Sequence, residues 1–134
     1  MEGMLQETEG RTFTDEEAAH ALGELLQEHK GADVVVLDLR KMNAWTDFFV
    51  IATASSNTHL DGLERHIKDF SLEKGIDILR RSRKPPAEGD EWRLIDLGST
   101  VVHLMSARAR DFYELERLWA QPMALRQGAL PPKV

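Results

Sequence analysis

Apolar residues recur along this chain in two rhythms, and the switches between them mark its elements. After a polar leader of about a dozen residues, "TDEEAAHALGELLQEHKG" sets Ala18, Ala21, Leu22, Leu25 and Leu26 in one stripe at helical spacing. Thr14 and Glu17 have capping-box spacing, acids fill the first turn, and Lys30-Gly31 closes the helix. The rhythm then changes. "ADVVVLDLR" carries the unbroken run Val34-Val35-Val36-Leu37, which predicts a central strand covered on both faces, and "DFFVIATAS", Asp47 to Ser55, repeats the pattern. The linker "KMNAW" is too short for a helical crossover, so these strands are expected to pair antiparallel. A second helix is predicted from Ser56 or Asn57, with Leu60, Leu63, Ile67 and Phe70 turned inward, ending at Lys74-Gly75. "IDILRRS" reads as a short edge strand because its charges must stay wet, and "RKPPAEGDE", Arg83 to Glu91, reads as a loop.

"WRLIDLGSTVVHL", Trp92 to Leu104, has the form of a hairpin, because glycine at the first turn position accepts the positive φ of a tight turn. Pairing about Gly98-Ser99 sets Asp96 opposite Val101, Leu94 opposite His103 and Trp92 opposite Met105. One face then holds Arg93, Ile95, Leu97, Thr100, Val102 and Leu104; the other holds Trp92, Leu94, Asp96, Val101, His103 and Met105. "SARARDFYELERLWAQ" follows as a last helix capped by Ser106, with Phe112, Leu115 and Trp119 inward and Tyr113 near the surface. The order α-β-β-α-β-β-β-α predicts a single α/β domain, a mixed β-sheet flanked by helices. Its expected bounds are a flexible leader at 1–13, the domain at 14–120 and a loosely ordered tail at 121–134.

Composition narrows the function. With 134 residues, 42% hydrophobic and 30% charged, one core fits and a second does not. No apolar run approaches the roughly 18–20 residues needed to cross a bilayer, so no membrane partner is expected. Seventeen basic against 23 acidic side chains give a net charge of −6, a field that repels free nucleic acid and favours basic partners. There is no cysteine, hence no disulfide framework or thiol nucleophile, and the N-terminus lacks the composition of a signal or transit peptide. A cytoplasmic location is the expectation.

Candidate chemistry is sparse. Asp96 and His103 are diagonal neighbours, roughly 7–8 Å apart at Cα, within reach of a side-chain hydrogen bond. A catalytic dyad also needs an activated nucleophile, and no G-x-S-x-G or comparable motif is present, so a structural pair is the better reading. His59 and His66 are seven apart on one helix, whereas metal-binding helices space ligands three or four apart; solvent exposure explains them more simply. Asp33 and Asp38 are five apart on a strand and point to opposite faces, and no Gly-rich phosphate loop precedes a helix. No metal and no cofactor is therefore expected. Arg80, Arg81, Arg83 and Lys84 form a basic run that either grips an anion or is simply solvated, the commoner case. Trp92, Leu94 and Met105 form an apolar strip that suits a protein interface and suits equally well a core under a helix.

Dispersed residues carry a resemblance to a known family. Thr46-Asp47-Phe48-Phe49-Val50-Ile51, Ser55-Ser56, Trp92 followed by Asp96, Gly98, Val101, Val102 and His103, then Arg110, Phe112-Tyr113, Leu115-Glu116 and Leu118-Trp119 stand in the order of the ribosomal silencing factor (RsfS, Iojap) family, over roughly Ala18 to Trp119. The resemblance implies a fold similar to nucleotidyltransferases without their catalytic carboxylates, and no enzymatic activity. It implies binding to the large ribosomal subunit through its ribosomal protein fourteen, which blocks joining of the small subunit and represses translation when nutrients are scarce. The implied contacts are Trp92, Asp96, His103, Tyr113, Glu114 and Leu115. The expected state is a monomer or weak homodimer. Two positions depart from the family pattern: Ser99 stands where an Asp is usual, and "RRSRKPPAEG" replaces an uncharged stretch. The competing reading is a nucleotidyltransferase-like enzyme with an unrecognised active site.

Overall fold

The computed structural model describes residues 14–42, 44–84 and 91–113. Helix α1, Asp15–Glu28, opens on the predicted capping box: Thr14 Oγ1 accepts from Glu17 N and Glu17 Oε1 from Thr14 N, both at 3.1 Å. Strands β1, Ala32–Asp38, and β2, Phe48–Ala54, follow. Helix α2, Asn57–Lys74, is capped by the Ser56 hydroxyl and stopped by Gly75 at φ 72, a conformation glycine takes without penalty. Strands β3, Arg80–Lys84, β4, Trp92–Asp96, and β5, Thr100–Ser106, lead into α3, Ala107–Tyr113. Ser106 Oγ accepts from Ala109 N at 3.1 Å, the expected cap.

The sheet is mixed, in the order β1-β2-β5-β4-β3, with β2 and β5 parallel at its centre and the other pairs antiparallel. The hairpin register is the predicted one, Trp92 facing Met105, Leu94 facing His103 and Asp96 facing Val101, with Gly98 at φ 93 in the turn. That turn is docked onto the start of β2. Thr46 Oγ1 donates to Gly98 O at 3.0 Å, and the amides of Asp47 and Phe48 both donate to Ser99 O.

Two expectations need correction. β1 is an edge strand, not a central one, although Val34 and Val36 pack on one side and Val35 and Leu37 on the other. Apolar runs report covered faces; they do not report whether a neighbouring strand follows. β3 begins at Arg80 and takes in Arg83 and Lys84, expected as loop, while Ile76 and Ile78 pack against the core outside any strand. Its edge position is as predicted. The inward positions expected at Leu115 and Trp119, the tail and the leader lie outside the described residues, as does the side chain of Phe112.

One sheet face is closed by α1 and α2. Leu22, Leu26, Leu60, Leu63 and Ile67 meet Phe48, Val50, Ile95, Val102 and Leu104, all at most 1% exposed. Full burial of each such side chain contributes about 1.5–3 kcal/mol, so this layer dominates stability. Arg93, on the same face, ties α2 to β4 through Asp61 (2.6 Å) and Glu64 (3.2 Å), and Arg81 of β3 joins Glu64 at 2.9 Å.

Candidate functional site

The opposite face is built from Leu37, Phe49, Ile51, Val101 and Met105, with Ala109 of α3 set on them and Trp92 and Leu94 packed at the side. Four rings cross this face in a row. Trp45 stands edge-on to Phe49 (centroids 6.1 Å), Phe49 edge-on to His103 (4.5 Å), and His103 tilts against Trp92 (5.8 Å). The two ends of the row are the wetter ones: Trp45 is 57% exposed and Trp92 half-buried, while Phe49 and His103 are each 2% exposed.

The Asp96–His103 pair expected from the hairpin register does not form. Trp92 Nε1–H donates to His103 Nδ1 at 3.0 Å, which leaves the proton of the neutral ring on Nε2. That Nε2 has no hydrogen-bond partner. Burial pushes the imidazole down to about 3, so the ring is neutral at physiological pH. Asp96 turns away toward its own hairpin: Oδ1 accepts from Gly98 N at 2.9 Å, and Oδ2 lies 3.6 Å from Arg80. A short carboxylate two residues before a turn amide finds that donor locally, which outcompetes a partner across the strands. The apolar strip divides accordingly. Met105 and His103 are core, whereas Trp92, Leu94 and Asp96 form a half-buried rim. Tyr113 ends the described part of α3, and Glu114 and Leu115 lie outside the described residues.

His59 and His66 are not simply solvated. His59 Nδ1 accepts from Ser55 N and its Nε2 donates to His29 O, both at 2.9 Å, so the ring fastens the start of α2 to the end of α1. His66 stacks on His29 at 3.5 Å between centroids. Asp38 is taken by Arg40, whose guanidinium lies 2.6 Å from Oδ2 and holds the carboxyl below its ordinary range. Within the basic run, Arg80 and Arg81 face Asp96 and Glu64. Among the described residues no three His, Asp or Glu side chains converge as metal ligands.

Trp45 escaped the sequence reading: it lay in a segment read only as a linker, and an aromatic residue in a connection is the available signal. Arg110 entered only through the family resemblance, with no contact assigned to it; it is 8% exposed.

Comparison with known proteins agrees with the architecture. The family described as "Ribosomal silencing factor during starvation" matches residues 12–132. The "Ribosomal silencing factor RsfS" of Treponema pallidum is 38% identical over 109 residues, covering 81% of this chain and 96% of that protein. The chloroplastic "Protein Iojap" of Zea mays is 33% identical over 80% of this chain, which spans 46% of it. The mouse "Mitochondrial assembly of ribosomal large subunit protein 1" is 31% identical over 71% of this chain, which spans 42% of it. A crystal structure from Chromobacterium violaceum superposes with a TM-score of 0.68 at 30% identity, covering 90% of this chain and all of that one. One from Bacillus halodurans gives 0.64 at 30% identity, with 78% and 95% covered.

Proposed function

Because this chain belongs to the ribosomal silencing factor family, we propose that it binds the large ribosomal subunit and keeps the small subunit from joining, which lowers translation under nutrient limitation. The breadth of the match, residues 12–132, supports this most, together with relatives named for ribosome silencing and for large-subunit assembly. The contact is the sheet face under α3, docked on large-subunit ribosomal protein fourteen. Trp92 and Asp96 provide the rim, Tyr113, Glu114 and Leu115 add contacts later in the chain, and Trp45 extends the surface past Phe49. His103 acts from behind by fixing the Trp92 indole. Large, partly exposed aromatic side chains of this kind anchor protein interfaces, and the chain's charge of −6 suits a basic ribosomal surrounding.

The mechanism is steric. A domain of this length is roughly 25–30 Å across, too thick to fit between two surfaces that meet closely. No nucleotide or metal takes part, which separates this reading from a nucleotidyltransferase. Purified subunits mixed with increasing protein and sedimented should lose joined ribosomes in proportion to protein bound per large subunit, with excess small subunits restoring them by mass action. Undiminished joining at saturating protein would refute the proposal. Inhibition far below one protein per large subunit would point to catalysis instead.

A further inference from the structure

Of the described side chains of helix α3, Ala109 and Arg110 are the buried ones, and Ala109 contributes a single methyl. A methyl contact fixes distance but not direction. Arg110 adds direction. Its Nη1 donates to Thr53 Oγ1 of β2 at 2.8 Å, and its Nη2 reaches across to Asp33 O of β1 at 2.7 Å. Asp33 sits where the β1–β2 register shifts between Ala32 and Val35, at φ 48, a left-handed conformation unusual outside glycine. Such a bulge takes a residue out of the regular ladder, and here the carbonyl of that residue receives the guanidinium. Two bonds from one rigid, planar group to acceptors on different strands fix the roll and tilt of the helix that carries it; an ammonium on a flexible stem fixes neither.

We infer that Arg110 is a positioning residue: it sets the orientation of α3 on β1 and β2, and so holds the α3 face in the form that meets the partner. The inference rests on the proposed function for its second half only. Its first half concerns the free protein.

The test compares Arg110→Met, Arg110→Lys and Thr53→Val with the unaltered protein in two measurements. In amide hydrogen exchange of the free protein, Arg110→Met should speed exchange along Ala107–Tyr113 about ten-fold while β2 and β5 keep their rates, Arg110→Lys should behave similarly, and Thr53→Val should have a smaller effect. In binding to purified large subunits, affinity should fall in the same order, by about ten-fold for Arg110→Met, the worth of one buried charged hydrogen bond. Uniform acceleration across α3 and the central strands would show a merely structural role and overturn the inference. So would α3 rates that do not change, or faster α3 exchange with undiminished subunit affinity. If Arg110→Met does not fold, Arg110→Lys and Thr53→Val decide by the same criteria. If the unaltered protein fails to bind large subunits, the proposed function falls with the presentation of contacts, and exchange alone decides whether Arg110 orients the helix.

Discussion

Both faces of the sheet are lined by the alternate residues of the same strands, yet they are closed differently. The α1–α2 face is sealed by helices of 14 and 18 residues whose leucines and isoleucines interlock with the strands. The α3 face is covered, among the described residues, by a seven-residue helix, of whose described side chains Ala109 and Arg110 are buried. Buried polar atoms without a hydrogen-bond partner occur on both faces among the described residues, His103 Nε2 on this one and the Ser71 and Thr100 hydroxyls on the other, each costing about 1–3 kcal/mol. The first face is organised for stability. What sets the second apart is its aromatic ends, Trp92 half-buried and Trp45 exposed, which the proposed contact uses.

Substitutions should separate the two. Leu63→Ala, at the centre of the α1–α2 face, should destabilise the protein by about 3 kcal/mol in urea unfolding, with affinity of the remaining folded protein for large subunits unchanged. Trp45→Ala and Trp92→Ala should do the reverse for binding, each weakening subunit affinity by about 2 kcal/mol, with Trp45→Ala nearly neutral in the same unfolding measurement. A pair of alanine variants that bind like the unaltered protein would break the comparison on its functional side.

A pH titration sharpens it further. His103 has its pKa lowered from 6.5 to about 3 in the folded protein. The unfolded chain therefore binds this proton first, so the related stability is whole above pH 6.5 and declines as pH falls toward 3, by up to about 1.4 kcal/mol per unit. His103→Leu should remove that slope, seen by comparing urea midpoints at pH 7 and pH 5.5; an unchanged slope would place the titration elsewhere. The smallest effect is expected from Asp96→Asn. It keeps an oxygen for Gly98 N and loses only the charge facing Arg80, so binding should weaken by less than about 1 kcal/mol and stability should hold.

Legibility in the sequence follows the same division. The α1–α2 face is written in periodicity and caps: Thr14 and Glu17, Ser56, Gly75 and the Leu60–Leu63–Ile67 stripe each act through neighbours a few residues away. The hairpin register was legible because the Gly98 turn fixes it locally. The other face depends on choices between partners distant in sequence. Asp96 prefers the Gly98 amide to His103, His103 takes the Trp92 indole, and Arg110 crosses to Thr53 and Asp33; no local pattern encodes those outcomes. The edge position of β1 was hidden for a related reason, since its valines record two covered faces and say nothing of the open side. The family resemblance, carried by dispersed residues, supplied the functional reading that spacing alone left open between interface and core.

In the proposed complex the α3 face, and not the one closed by α1 and α2, meets the large subunit. Side-chain footprinting with hydroxyl radicals tests it on two exposed apolar residues, Trp45 at one end of the aromatic row and Leu72 on α2, which are 57% and 83% exposed. Adding saturating large subunits should shield Trp45 from oxidation and leave Leu72 as reactive as in the free protein. Shielding of Leu72 with Trp45 unchanged would contradict the account.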